Sequence, residues 1–141
     1  MYKCRYFQIK ELVPPQLLKY SESKLWLLFD ERLLKAIDSI REKYGSIYIN
    51  STSAGLTQCG FRLSDTKTGA LFSQHKYGRA ADLHIMSIES QKLSKTDKIK
   101  AYNNIRQELL SDFMFDSLNF EDGIHWLHID LGNRPKRLFL P

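Results

Sequence analysis

The chain has 141 residues, 43% hydrophobic and 26% charged, with 21 Lys plus Arg against 16 Asp plus Glu and a net charge of +5. A chain of this length buries roughly two-thirds of the surface it would expose unfolded, enough for one core without disulfide or metal staples. Eight Phe, seven Tyr and two Trp argue against disorder, and no apolar run approaches the roughly 18 residues a membrane span needs.

The start, Met1-Tyr2-Lys3-Cys4-Arg5-Tyr6, has neither the apolar stretch nor the cleavage site of a signal peptide, so synthesis in the cytoplasm is expected. Phe7 to Leu12 alternates weakly, as a strand would, and Pro14-Pro15 ends it and can open a short helix over Gln16 to Tyr20. Residues 1–22 read as an N-terminal arm of a single domain spanning 1–141. Asp30 is a helix N-cap, followed by Leu33, Leu34, Ile37 and Ile40 at helical spacing and by Gly45 as a stop. Ile47 to Asn50 reads as a short strand, and Ser51 to Gly69 as a long loop of the kind that often carries function.

Ala80 to Ile85 is a second strand. Ser94 or Thr96 caps a second helix through Leu110, with Ile99, Tyr102, Ile105 and Leu109 on its core face. Phe120 precedes a turn at Glu121-Asp122-Gly123, Trp126 to Leu131 alternates as a strand, and Arg137 to Leu140 adds an edge strand. The expected fold class is α+β, a small antiparallel sheet with helices packed against it. Cys4 and Cys59 lie far apart and outside any C-x-x-C pattern, so both read as plain thiols. The positive charge suits an anionic partner, yet it is spread along the chain without a basic stripe, and nucleic-acid binding is not expected.

The four histidines carry the most information. His75 and His84 bracket Asp82, and His125 and His128 precede Asp130. A catalytic zinc site needs three nitrogen or oxygen ligands and an open fourth position, and two His with one Asp meet that need. The set chosen is His75, Asp82 and His128. Alternate strand positions share a face, so Trp126, His128 and Asp130 point one way and Leu127, Ile129 and Leu131 the other. Asp82 and His84 likewise share a face, which makes His84 a rival ligand.

The run Ser73-Gln74-His75-Lys76-Tyr77-Gly78-Arg79-Ala80-Ala81-Asp82 resembles the S-x-H-x-x-G-x-A-x-D signature of the zinc D-alanyl-D-alanine carboxypeptidase family, whose fold is shared with the Hedgehog signalling domain. Trp126-Leu127-His128-Ile129-Asp130 is similar to the family's second motif, and Gly60-Phe61-Arg62 to its G-[YF]-R loop. Compact versions are similar to phage-encoded, endolysin-like hydrolases of the cell wall.

The resemblance implies that His75, Asp82 and His128 hold zinc and that Arg62 stabilises the oxyanion formed on the scissile carbonyl. It implies that Ser73 binds the substrate peptide, that Gly78 permits a turn between two ligands, and that Asp130 orients a ligand imidazole. Several family members place a Glu three residues before the last zinc histidine. Here that position holds His125, which is expected to be the general base, with Glu121 and Asp122 as carboxylate alternatives. The implied function is a zinc-dependent peptidase of peptidoglycan peptides, monomeric, not inserted in a membrane and acting at the cell wall if phage-encoded. A non-hydrolytic wall-binding or virion-structural domain on the same fold is the alternative.

Overall fold

A computed structural model describes residues 1–141. The fold is α+β, with four helices and one five-stranded sheet. In chain order the elements are α1 (Glu22–Trp26), α2 (Glu31–Tyr44), β1 (Ile47–Tyr48), β2 (Ala80–Ile85), α3 (Met86–Glu89), α4 (Lys95–Ser111), β3 (Asn119–Glu121), β4 (Leu127–Asp130) and β5 (Leu138–Phe139). No helix is long and apolar enough to cross a membrane.

Both main helices start where their capping residues dictate. The Asp30 carboxylate accepts the Arg32 amide at 3.0 Å to open α2, and Ser94 Oγ accepts the Asp97 amide at 3.1 Å to open α4. Helix α2 ends at Gly45, whose φ of 82° a side chain would resist. Its apolar stripe, Leu33, Leu34, Ile37 and Ile40, is almost fully buried, and so are Tyr102 and Leu109 of α4. These side chains pack with Leu83, Phe120, Leu127 and Ile129 of the sheet in one core.

The sheet order is β1-β2-β4-β3-β5. All neighbours are antiparallel except β3 and β5, which run parallel, so the sheet is mixed rather than wholly antiparallel. The reason is connectivity: the chain leaves β4, passes over β3 and pairs on its far side, which makes β5 an edge strand as expected. The β2–β4 register places Asp82 opposite His128, with Leu83 opposite Leu127 and Ala81 opposite Ile129.

The arm differs from expectation. Residues Ile9–Glu11 form a single 3₁₀ turn and not a strand, because the Glu11 carboxylate turns back to accept the Gln8 amide at 2.7 Å. The helix expected over Gln16 to Tyr20 is a 3₁₀ turn at Pro15–Leu17. Helices α1 and α3 and strand β3 are short elements without a full period in the sequence. The arm is tied to α2 by Asp38, a buried carboxylate that accepts Tyr2 Oη at 2.7 Å and the Arg5 amide at 2.8 Å.

Candidate metal centre

Three segments meet at the β2–β4 pair. Strand β2 supplies Asp82 and β4 supplies His128. The Asp82 amide donates away from β4, to Cys59 O at 2.7 Å, so Asp82 and His128 form the non-hydrogen-bonded type of antiparallel pair, in which side chains stand closest. A 3₁₀ turn, Gln74–Tyr77, supplies His75 and ends at Gly78, whose φ is 63° and where a Cβ would lie 1.8 Å from Leu28 O. Only glycine fits there.

The loop through residues 58–62 lashes this turn to β2. Gly60 O accepts His75 Nδ1 at 2.7 Å, and the Arg62 amide donates to His75 O at 3.1 Å. A carbonyl only accepts, so Nδ1 of His75 carries a proton and Nε2 is the ring nitrogen that faces the site. That Nε2 lies 3.4 Å from Asp82 Oδ1 and 3.4 Å from His128 Nδ1, while His128 Nδ1 lies 2.7 Å from Asp82 Oδ1.

His75, Asp82 and His128 are all buried and form a group able to hold a metal ion. Donors about 2.1 Å from a tetrahedral metal are about 3.4 Å from one another. Two of the three separations already match that edge, and the third is the hydrogen bond that a metal would replace. The donor set therefore fits a small divalent ion.

Behind His128 stands Asp130, wholly buried, with Oδ2 3.2 Å from His128 Nε2. It is held in turn by Asn119 Nδ2 at 2.9 Å, the Gly132 amide at 2.8 Å and Arg134 Nη2 at 2.6 Å. The Arg134 guanidinium also lies 3.5 Å above the Phe139 ring, which fastens β5 to the site. A carboxylate that grips the far nitrogen of a ligand imidazole fixes the ring's orientation and raises its basicity.

Burial would lower the His128 pKa, but hydrogen bonds and charge from Asp130 and Asp82 outweigh it and raise the value to about 9. Burial pushes the Asp82 carboxyl upward, but His75 and His128 prevail and hold it well below the usual range. Asp130 is depressed for a similar reason: hydrogen bonds from His128, Arg134, Asn119 and Gly132 overcome its burial. Both ring nitrogens of His128 face a carboxylate oxygen, and the two carboxylates favour its protonated form when no metal is bound.

A cavity of about 560 Å³ opens onto this group, lined among others by Arg62, Ser73, Glu121, Trp126 and Arg134. Arg62 Nη2 pairs with Asp82 Oδ2 at 3.0 Å, and its Nε donates to Gln58 O at 2.7 Å. Arg62 and Ser73 thus stand beside the ligand group.

His125 does not. It lies outside the β4 ladder and outside the cavity lining, edge-on to Trp126 with ring centroids 4.7 Å apart. Burial and the nearby Lys95 and Lys98 lower its pKa. The strand begins only at Leu127, so His125 precedes the ladder and does not share its alternation. Glu121, at the end of β3, lines the cavity instead, with Oε2 4.0 Å from His128 Nδ1. Asp122 is not among the lining residues. His84, the rival ligand, stacks on Tyr48 at 4.9 Å and sits 3.8 Å from both Glu89 and Cys59, away from the metal group.

Sequence reasoning missed Asn119 and Arg134. Neither belongs to a motif, and each reaches Asp130 through strand pairing or a loop that spacing does not encode. No family model matches the chain, and no curated protein or solved structure matches it either.

Proposed function

We propose that this chain is a zinc-dependent peptidase that hydrolyses an amide bond next to a D-amino acid in the peptides of peptidoglycan, on a fold of the zinc D-alanyl-D-alanine carboxypeptidase type. The observation that carries the reading is the convergence of His75, Asp82 and His128 donors with Glu121 and Arg62 at one cavity. His75 through Nε2, Asp82 through Oδ1 and His128 through Nδ1 would hold the ion. When bound, zinc lowers the pKa of a coordinated water towards neutrality and polarises the scissile carbonyl.

The chain's own groups supply the rest. Glu121 Oε2 takes the proton of the attacking water and passes it to the departing amine. The Arg62 guanidinium faces the carbonyl oxygen as negative charge develops on it. The Ser73 hydroxyl donates to the backbone or carboxylate of the peptide. Asp130, clamped by Asn119 and Arg134, keeps the His128 ring aimed. The basic surface attracts an anionic wall, an effect that salt weakens.

Release of new amines from purified peptidoglycan tests the reading. Glu121→Gln retains its metal and loses about 10²–10⁴-fold in turnover, the usual worth of a positioned proton acceptor. Full activity in that variant removes Glu121 from its role. Wall fragments bound by zinc-loaded wild-type protein without any amine released would favour a second reading, a non-hydrolytic wall-binding domain. The pairing of Arg62 with Asp82, which engages the guanidinium, is the observation on its side.

A further inference from the structure

Three contacts hold the Arg134 side chain. Its Nε and Nη2 donate to Asp130 Oδ2 at 3.0 and 2.6 Å, and Cζ lies 3.5 Å from the centre of the Phe139 ring. One edge and one face of the guanidinium are therefore taken. The other edge, formed by Nη1 and the second Nη2 proton, meets no acceptor of the chain, and Arg134 lines the metal cavity. A planar guanidinium with one edge occupied keeps a second two-donor fork, which fits a carboxylate.

Its distance from the metal group is fixed as well. Asp130 Oδ2 also lies 3.2 Å from His128 Nε2, so one oxygen joins the ligand ring to Arg134. Nη2 is thus less than two extended residues, at roughly 3.5 Å each, from the His128 ring. Arg62 stands at the other ligand of the strand pair, 3.0 Å from Asp82. A peptide bond held at the metal group lies between these two cations. With its oxygen turned to Arg62, the end of the residue that follows is within reach of Arg134.

We infer that Arg134 recognises the free α-carboxylate of the residue after the scissile bond, so that cleavage favours the terminal bond of the peptide and Ser73 is left to the peptide backbone. The inference rests on the peptidase reading and deepens it by naming the group that sets which bond is cut. Arg134 is about a third exposed, which limits the worth of its fork to about tenfold.

The probes are Nα-acetyl-L-Lys-D-Ala-D-Ala with a free terminal carboxylate and the same peptide closed as an amide. Zinc-loaded protein is expected to hydrolyse the acid with kcat/KM about tenfold above the amide. In Arg134→Gln both rates fall, because Asp130 loses a partner, and the acid-to-amide ratio falls to about one; Arg134→Lys restores part of it. Asn119→Ser is the control, since Asn119 also holds Asp130 but is not part of the cavity lining: its rates fall and its ratio stays. A ratio near one in the wild type, unchanged in Arg134→Gln, or lost equally in Asn119→Ser overturns the role of Arg134 and leaves the peptidase reading in place. If neither peptide is cleaved, the peptidase reading fails, and calorimetric titration with the same two peptides decides on Arg134 independently. Binding of the acid about tenfold tighter than the amide, abolished in Arg134→Gln, supports the role. Equal affinities, or no binding of either peptide, overturn it.

Discussion

His128 lies between Asp82 and Asp130, and both of its nitrogens face a carboxylate oxygen. Its pKa is raised to about 9, so in the metal-free protein this imidazolium adds stability that is complete below about pH 6.5 and is lost as pH rises through about 9. The two depressed carboxylates contribute stability above about pH 4 that is lost as pH falls. Thermal melts of metal-free protein are therefore expected to fall off below pH 4 and again between pH 7 and 10. Added zinc removes the alkaline decline, because the ion takes the place of the Nδ1 proton. A flat alkaline limb without metal would show that His128 is not held as a cation. Asp130→Asn keeps the shape of the side chain but loses the charge, and zinc titration is expected to show metal affinity reduced about 10–100-fold. His75, Asp82 and His128 were legible because short motifs hold them. Glu121 was legible only as an alternative to His125, since which of them faces the cavity depends on where β4 begins and how β3 pairs with it.

At the scale of elements, caps and periodicity made α2 and α4 readable: Asp30, Ser94 and the apolar stripes are local signals. The arm was not readable in this way. Its Phe7 to Leu12 alternation is overridden by the Glu11 carboxylate, and Phe7 and Leu12 are buried without any strand. The parallel pairing of β5 depends on the return path of the chain, which no local pattern records. Glycine is where element and site join. Gly78 ends the turn bearing His75, and its carbonyl accepts the Asp30 amide at 3.0 Å, which links the metal segment to the start of α2. Gly78→Ala adds a left-handed penalty to a clash with Leu28 O, so it is expected to cost about 2–4 kcal/mol in urea unfolding. A loss under about 0.5 kcal/mol would mean that the backbone here moves freely.

For the whole molecule, one core backs the sheet while Asp82 of β2, Glu121 of β3 and His128 of β4 face a single cavity. Antiparallel pairing brings Asp82 and His128, 46 residues apart in the chain, to hydrogen-bond distance. The lashing loop brings His75 to both. Because the core closes without metal staples, loss of the ion should leave the chain folded, and metal content can be compared among variants. The most direct measurement is zinc stoichiometry by elemental analysis after dialysis, on wild type, His75→Ala and Asp82→Ala, each checked for folding by circular dichroism. The account predicts about one zinc per wild-type chain and a near-complete loss in both folded variants. Zinc absent from the wild type, or retained in full by both variants, would contradict it.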